Sequence, residues 1–366
     1  MWLTLNTKII AYYLPQYHEV KENNEWWGKG FTEWTNVKRG KPLFKDHIQP
    51  RIPLHENYYD LMDKETVLWQ TKIAKEYGVY GFAYYHYWFS GKKLLEKPAE
   101  NLLHWKEIDQ KFCFFWANHT WYKAENGAKN ILIEQKYGGR ADWKSHYEYC
   151  REFFKDERYI KVNNAPVFVI YIPDDIKYLN DMMSYWNELA TEDGFSGIYF
   201  IENKSVELQD KVSNLSAAVL YRQPNCAFDK SYKGNLWSRI VRKYYFLTKK
   251  LPHIPHKFKY FSISNFEQNI RLKNNMEYKQ YLCLSAGWDN TSRHGCRGQV
   301  VVGNTPENFK KTLDVLYKRS LDMGNEFLFI NAWNEWAEGM YLEPDVQWEY
   351  GYLEAIKDVV EHYKDC

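Results

Sequence analysis

The sequence lacks most of the signals that mark membrane, nucleotide and metal proteins. No run of eighteen apolar residues occurs in its 366 positions, so no transmembrane helix is expected. The opening stretch Met1–Pro15 has no basic segment leading into a long apolar one, and does not read as a secretory signal. Cysteines are few and scattered, at 113, 150, 226, 283, 296 and 366, with no C-x-x-C pair. Several sit in apolar runs, where a thiol packs as a small hydrophobe, so reduced thiols in a cytoplasm are the simplest reading. With Cys366 the last residue given, no C-a-a-X prenylation site is expected. Neither sign of charge dominates: 49 Lys and Arg against 47 Asp and Glu give +2. A whole-surface polyanion binder is therefore not expected, and no nucleic-acid partner is implied. G-x-x-x-x-G-K-[ST], G-x-G-x-x-G after a strand, and G-x-S-x-G are all missing. His253 and His256 are separated by Pro255 and have no second ligand pair nearby, so no metal is expected. There is no internal repeat and no low-complexity segment.

Rings are what the chain has in excess. Sixteen Trp, 31 Tyr and 20 Phe make 18% of the residues, more than a core needs. Trp and Tyr combine a flat apolar face with a hydrogen-bond donor, which suits the faces of sugar rings. Hydrophobic residues reach 45%, enough for a large core, and the length fits one large α/β barrel or two ordinary domains.

Eight short apolar runs read as buried strands, at 8–14, 81–86, 112–117, 166–172, 197–201, 217–221, 281–286 and 326–331. Each is apolar on both faces, as parallel strands covered by helices must be. Helical patterns fall between them. Asp63 is placed to cap a helix that Gly78 ends, and Leu179, Met182, Trp186 and Leu189 repeat at helical spacing. Thr305-Pro306 opens a helix that Gly324 closes, and 351–363 is amphipathic. Eight alternations predict a single (β/α)₈ TIM-type barrel domain over 1–366, with an open doubly wound sheet as the alternative. Two connections are long for a plain barrel: 118–165 after strand three and 222–280 after strand six. Within 223–260, nine Lys and Arg face one acid, Asp229, with Tyr and Phe interleaved. This basic insertion reads as the solvated face of an inserted helix, or as a docking surface for a lipid-linked glycan or an anionic membrane.

In a barrel the chemistry lies at the carboxyl ends of the strands. There the sequence places His18, then Tyr85, His86 and Trp88, then Trp116 and Asn118, then Trp288 and Asp289. Strand eight runs into Asn331-Ala-Trp-Asn-Glu-Trp-Ala-Glu-Gly339. Glu335 and Glu338 are the sharpest signal. Glycosidic chemistry needs one carboxyl group at the exocyclic oxygen and a second at the sugar carbon or its neighbour. A spacing of three on a tight turn puts two carboxylates on one side, about 5–6 Å apart. Two surface acids at a helix start would show the same spacing. The flanking Trp333 and Trp336 and the position after strand eight favour chemistry. His18 and His86 read equally as hydrogen-bonding or structural residues, and Asp289-Asn290 as a hydroxyl contact or a turn.

The runs Ala11–His18, Glu25–Val37, Gly81–Trp88, Gly287–Thr291 and Asn334–Gly339 resemble the WbsX-like proteins of bacterial polysaccharide gene clusters. Those are similar to glycoside hydrolase family 99, the endo-α-mannosidases. The resemblance spans about residues 8–360 and implies a (β/α)₈ barrel with no metal or nucleotide cofactor. It implies that Glu335 assists the sugar 2-hydroxyl in attacking the anomeric carbon, and that Glu338 is general acid to the leaving oxygen and then base for water. Tyr13, Trp34 and Asn334 lie in the matching motifs and join the expected substrate contacts. The expected function is a retaining enzyme acting on an α-linked, mannose-type residue of a bacterial surface polysaccharide. A glycosyltransferase of O-antigen or capsule assembly and a non-catalytic glycan-binding protein are the alternatives.

Overall fold

The computed structural model describes residues 7–364 except 44–45, 126–127, 205–209, 222–246, 248–277, 296–297 and 302. The basic insertion at 223–260 thus lies, Leu247 apart, outside the described residues.

Eight parallel strands close on themselves: β1 (Lys8–Tyr13), β2 (Val79–Phe89), β3 (Lys111–Trp116), β4 (Ala165–Ile170), β5 (Tyr199–Lys204), β6 (Ala218–Tyr221), β7 (Lys279–Ser285) and β8 (Phe327–Asn331). Neighbours in the chain are neighbours in the sheet. The seam is β1, which pairs β8 through Ile10 and Phe329 and β2 through Ile10 and Gly81. That double pairing makes a barrel and excludes the open sheet. The strands match the apolar runs, with β2 extending past His86 to Phe89.

Local chemistry explains the surrounding helices. The Asp63 side chain accepts from the Glu65 amide and starts the helix Lys64–Glu76. Thr305 Oγ1 accepts from the Asn308 amide, with Pro306 at the first helical position of Pro306–Asp322. Caps of this kind contribute about 1 kcal/mol each. After β3 the chain makes an antiparallel ribbon, Trp121–Glu125 with Ala128–Ile133, and then the helix Arg140–Phe154.

Side chains alternate across each strand, and the rings show which set points inward. Tyr12 of β1 meets Phe115 of β3 at 4.8 Å, although β1 and β3 are not neighbours. Tyr85 of β2 and Phe329 of β8 join them at 6.0 and 6.1 Å from Tyr12. These four rings cross the barrel interior. Tyr13, Tyr84, His86, Trp88 and Trp116 occupy the opposite phase and pack outward. Tyr13 Oη donates to Gln70 Oε1 on the helix Lys64–Glu76, at 2.7 Å. His86 Nε2 lies 2.8 Å from His146 Nε2 on the helix Arg140–Phe154.

Candidate active site

The acid pair stands on a small hairpin after β8. Asn334 and Glu335 pair antiparallel with Tyr341 and Met340, and a 3₁₀ turn spans Trp336–Glu338. Gly339 closes the turn at φ +60°, and a Cβ there would come within 2.8 Å of the Asp289 Cβ. Both its backbone angle and its neighbour therefore call for glycine. Asn334 fastens the hairpin to the end of β1, accepting from the Leu14 amide at 2.7 Å and donating to the Leu14 carbonyl at 3.0 Å. Tyr17 Oη donates to the Asn334 carbonyl at 2.5 Å.

Arg293 joins this hairpin to two other loops. Its Nη1 donates to Glu338 Oε1 at 2.6 Å, and its Nη2 lies 3.6 Å from Glu335 Oε2. Nε and Nη2 both reach Glu33 Oε1, at 2.9 and 2.7 Å. One guanidinium thus holds three carboxylates, and the two glutamates of the pair face the same cation. Side-chain exposure falls from 23% for Glu338 to 9% for Glu335 and 2% for Glu33, so the environments differ. Glu335 Oε2 is buried with no hydrogen-bond partner among the described residues. Burial, and then the charge of Glu338, push the Glu335 carboxyl well above the usual carboxylate range, with Arg293 opposing. Arg293 stays charged: burial works against it, but Glu33 and Glu338 outweigh burial. Tyr85 and Tyr87 of β2 feel the Glu335 charge, and burial first of all keeps their phenols neutral and able to donate.

Asp289 seats the loop that carries Arg293. Its carboxylate accepts from His47 Nε2 at 2.9 Å, Gln49 Nε2 at 2.7 Å, and Thr291 N and Oγ1 at 3.1 and 2.5 Å. Its amide donates to the Glu338 carbonyl at 2.6 Å. Burial would raise the Asp289 carboxyl, but the bonds from His47 and Thr291 more than offset this and hold it low. Asp289→Asn puts an amide donor against Gln49 and His47. We expect a loss of about 1–3 kcal/mol in unfolding free energy, read by chemical denaturation. Displacement of Arg293 should also cost about 10–100-fold in kcat/KM. Unchanged turnover in Asp289→Asn would remove Asp289 from the site.

The expected substrate contacts divide by strand phase and by hydrogen bonding. Tyr85 faces the mouth beside Glu335. Trp288 is half-buried, and its indole N–H has no partner among the described residues. Tyr13, His86, Trp88 and Trp116 point away from the interior, for the reason of phase given above. His86 and His146 are buried imidazoles that desolvation keeps neutral, His86 at about 3, and Trp88 stacks on His146 at 4.6 Å. With Cys150 they place three ligand atoms within 4.8 Å, a set that could hold a metal outside the barrel wall. The His–His hydrogen bond accounts for the imidazole contact without one. Asn118 is used internally, bonding Ile172 N and O and Tyr137 Oη. Trp34 donates to the Tyr59 carbonyl and packs under Trp336, and Trp333 is fully buried against Phe82. His18 is buried and, through desolvation, neutral.

Sequence reasoning passed over Arg293, Glu33, Tyr12 and Tyr87. Glu33 stands beside Trp34 inside a quoted motif, so its type and place were visible, but its partner is 260 positions away. Two buried acceptors, Asn203 Oδ1 and Asn331 Oδ1, also lack partners among the described residues. They stand at the carboxyl ends of β5 and β8.

Among solved structures, the chain is similar to the family 99 endo-α-mannosidase of Bacteroides thetaiotaomicron, with TM-score 0.56, 14% identity, and 98% and 97% of the two chains covered. It is also similar to a glycoside hydrolase-like protein, with TM-score 0.59, 11% identity, and 97% and 94% covered. At such identities the likeness shows the fold alone. By sequence it is 29% identical over 367 residues to protein WxcX from two strains of Xanthomonas campestris pv. campestris, and spans about half the length of these relatives (51%). Residues 9–356 match the profile of the family described as glycosyltransferase WbsX. The chain therefore belongs to the WbsX glycosyltransferase family.

Proposed function

We propose that the chain is a carbohydrate-active enzyme that acts with retention at an α-linked, mannose-type residue of a bacterial surface polysaccharide. The observation that carries this is the pair Glu335 and Glu338, gathered on one guanidinium beside the inward Tyr85, in unequal environments. Two neighbouring carboxyl groups that share one proton supply one acid and one base, and here that proton passes from Glu335 to Glu338 before the first step. In the first step the sugar 2-oxygen bonds to the anomeric carbon and its proton passes to Glu335. The exocyclic C–O bond breaks and the leaving oxygen takes a proton from Glu338. In the second step water adds to the anomeric carbon and gives a proton to Glu338, while the 2-oxygen recovers its own from Glu335. A sugar hydroxyl in place of water gives transfer instead of hydrolysis.

The leaving group's charge bears on donor type. Glu33, Glu335 and Glu338 around one Arg293 make this cluster net negative. A neutral glycan leaving group fits that field, whereas a nucleotide diphosphate would be repelled. This supports a glycan donor over a nucleotide-sugar donor. Family membership favours the second reading, glycosyl transfer during polysaccharide assembly. No helix among the described residues is long and apolar enough to cross a membrane.

The test is incubation with the producer's own polysaccharide and, separately, with candidate nucleotide sugars. Products are followed by mass spectrometry and anomeric proton NMR. Released α-configured oligosaccharide is the expected result. Product formed only with a nucleotide sugar would establish the second reading, and inverted product would remove the 1,2-anhydro route.

A further inference from the structure

Arg293 has one more contact than an acid pair requires. Glu33 lies on the short helix Glu33–Lys38, nearly fully buried, and its Oε1 takes both Nε and Nη2 of the guanidinium. Asn36 Nδ2 holds the Glu33 carboxylate from behind, at 3.3 and 3.4 Å from its two oxygens. A guanidinium is a rigid planar fork, so anchoring two of its nitrogens fixes where the third points. Here Nη1 is aimed at Glu338, while Nη2 stays 3.6 Å from Glu335, too long for a hydrogen bond. The outcome is lopsided: Glu338 has a charged donor, and Glu335 has a buried oxygen with none among the described residues.

We infer that Glu33 is a positioning residue. Acting through Arg293, it directs the cation to Glu338 and keeps the acid pair's proton on Glu335 in the substrate-free protein. The inference rests on the proposed role of the pair but concerns where its proton sits, a property of the free protein. Removing the Glu33 charge takes one carboxylate away from Glu335 and frees two donors to turn toward it. Both changes favour ionised Glu335, so their signs agree. Among the described residues, the charged and titratable groups near the pair are Tyr17 from the loop after β1, Glu33, Tyr85 and Tyr87 from β2, and Arg293 and His294 from the loop after β7. Of these, only Glu33 and Arg293 change in the variants below.

The experiment is carboxyl ¹³C NMR titration of the whole chain labelled at glutamate, with the Glu335 signal assigned by its loss in Glu335→Gln. In Glu33→Gln, an isostere that keeps the side-chain shape, the Glu335 midpoint should fall by about one pH unit or more. In an Arg293→Lys background the same Glu33→Gln change should move it by less than half as much, because a single ammonium cannot act as the fork. An unmoved midpoint in Glu33→Gln overturns the inference. So does an equal shift in both backgrounds, which would mean that Glu33 acts by its own field. Where turnover is measurable, the falling, alkaline limb of the kcat/KM–pH profile should shift down with the midpoint. A preparation with the midpoint shift but no turnover on any glycan would sink the proposed function and leave this inference standing.

Discussion

Glu338→Gln should lower kcat/KM on a natural glycan by about 10²–10⁴-fold, the range that one positioned proton donor supplies. The loss should shrink sharply on an aryl glycoside with an acidic leaving group such as dinitrophenol, because that oxygen departs without a proton. Glu335→Gln should lose a similar factor on both substrates, because the 2-hydroxyl must shed its proton whatever leaves. This contrast separates the two roles, which a uniform loss would not. Thermal unfolding serves as the control. Glu335 is a buried carboxyl whose Oε2 has no partner among the described residues, so a neutral isostere should not destabilise the fold. The pH dependence has a definite sign. Glu335 must be ionised to accept the 2-hydroxyl proton, and burial with the Glu338 charge raises its proton affinity. The reacting form carries one proton on the pair, which passes to Glu338 for the first step, so activity should fall as pH rises and that proton is lost, at a midpoint well above the ordinary carboxylate range of about 4. Near-normal turnover in either variant, or an alkaline limb as low as the ordinary glutamate value, would remove the pair from the chemistry.

The barrel was legible because strands covered on both sides must be apolar throughout, and eight such runs stood between helical patterns. The same property hid the phase of each strand. When every position is apolar or aromatic, nothing in the composition says which residues face inward, and an error of one residue reverses the assignment. Tyr13 was chosen where Tyr12 faces the interior, and of the β2 residues chosen Tyr85 lies beside Glu335, as does the unchosen Tyr87, whereas His86 and Trp88 face outward. The hairpin was easier to find. Glu335, Glu338 and the glycine after them are adjacent in sequence, and a three-residue spacing has few geometries. Arg293 and Glu33 gave no such sign, because each is unremarkable until folding brings together loops 260 positions apart. Asn118 and Asp289 show the converse limit. A polar residue at a strand end can serve the substrate or tie two loops, and only its partners decide. Here Ile172 takes up one, and His47, Gln49 and Thr291 take up the other.

Glu343→Leu should be the most destabilising single change at the back of the site. The Glu343 carboxyl accepts from Trp336 Nε1 at 2.6 Å, Tyr59 Oη at 2.8 Å and Gln70 Nε2 at 2.6 Å. It ties the hairpin of Glu335 and Glu338 to the helix Lys64–Glu76, and Tyr13 closes the far end of the chain through Gln70. Leucine leaves three buried donors unanswered at about 1–3 kcal/mol each, partly offset because a buried carboxyl is gone. A net loss of about 3–5 kcal/mol in unfolding free energy is expected by denaturant titration. Glu343→Gln asks a finer question. Burial pushes the Glu343 carboxyl up to about 7, against the pull of its hydrogen bonds from Trp336 and Tyr59. An unfolded glutamate titrates near 4.3. Between those values the folded chain keeps a proton that the unfolded chain has released. Stability from this group is therefore greatest in acid and declines as pH rises through the window, by about 4 kcal/mol in all. The glutamine variant has no such proton to lose. Its unfolding free energy relative to wild type should climb steadily from pH 5 to pH 7.5 and then level off. A difference that stays flat across that range would mean that Glu343 is already ionised at pH 5. The hairpin would then be anchored by a charged strut, and Glu343→Leu would owe its cost to the loss of charge-assisted bonds.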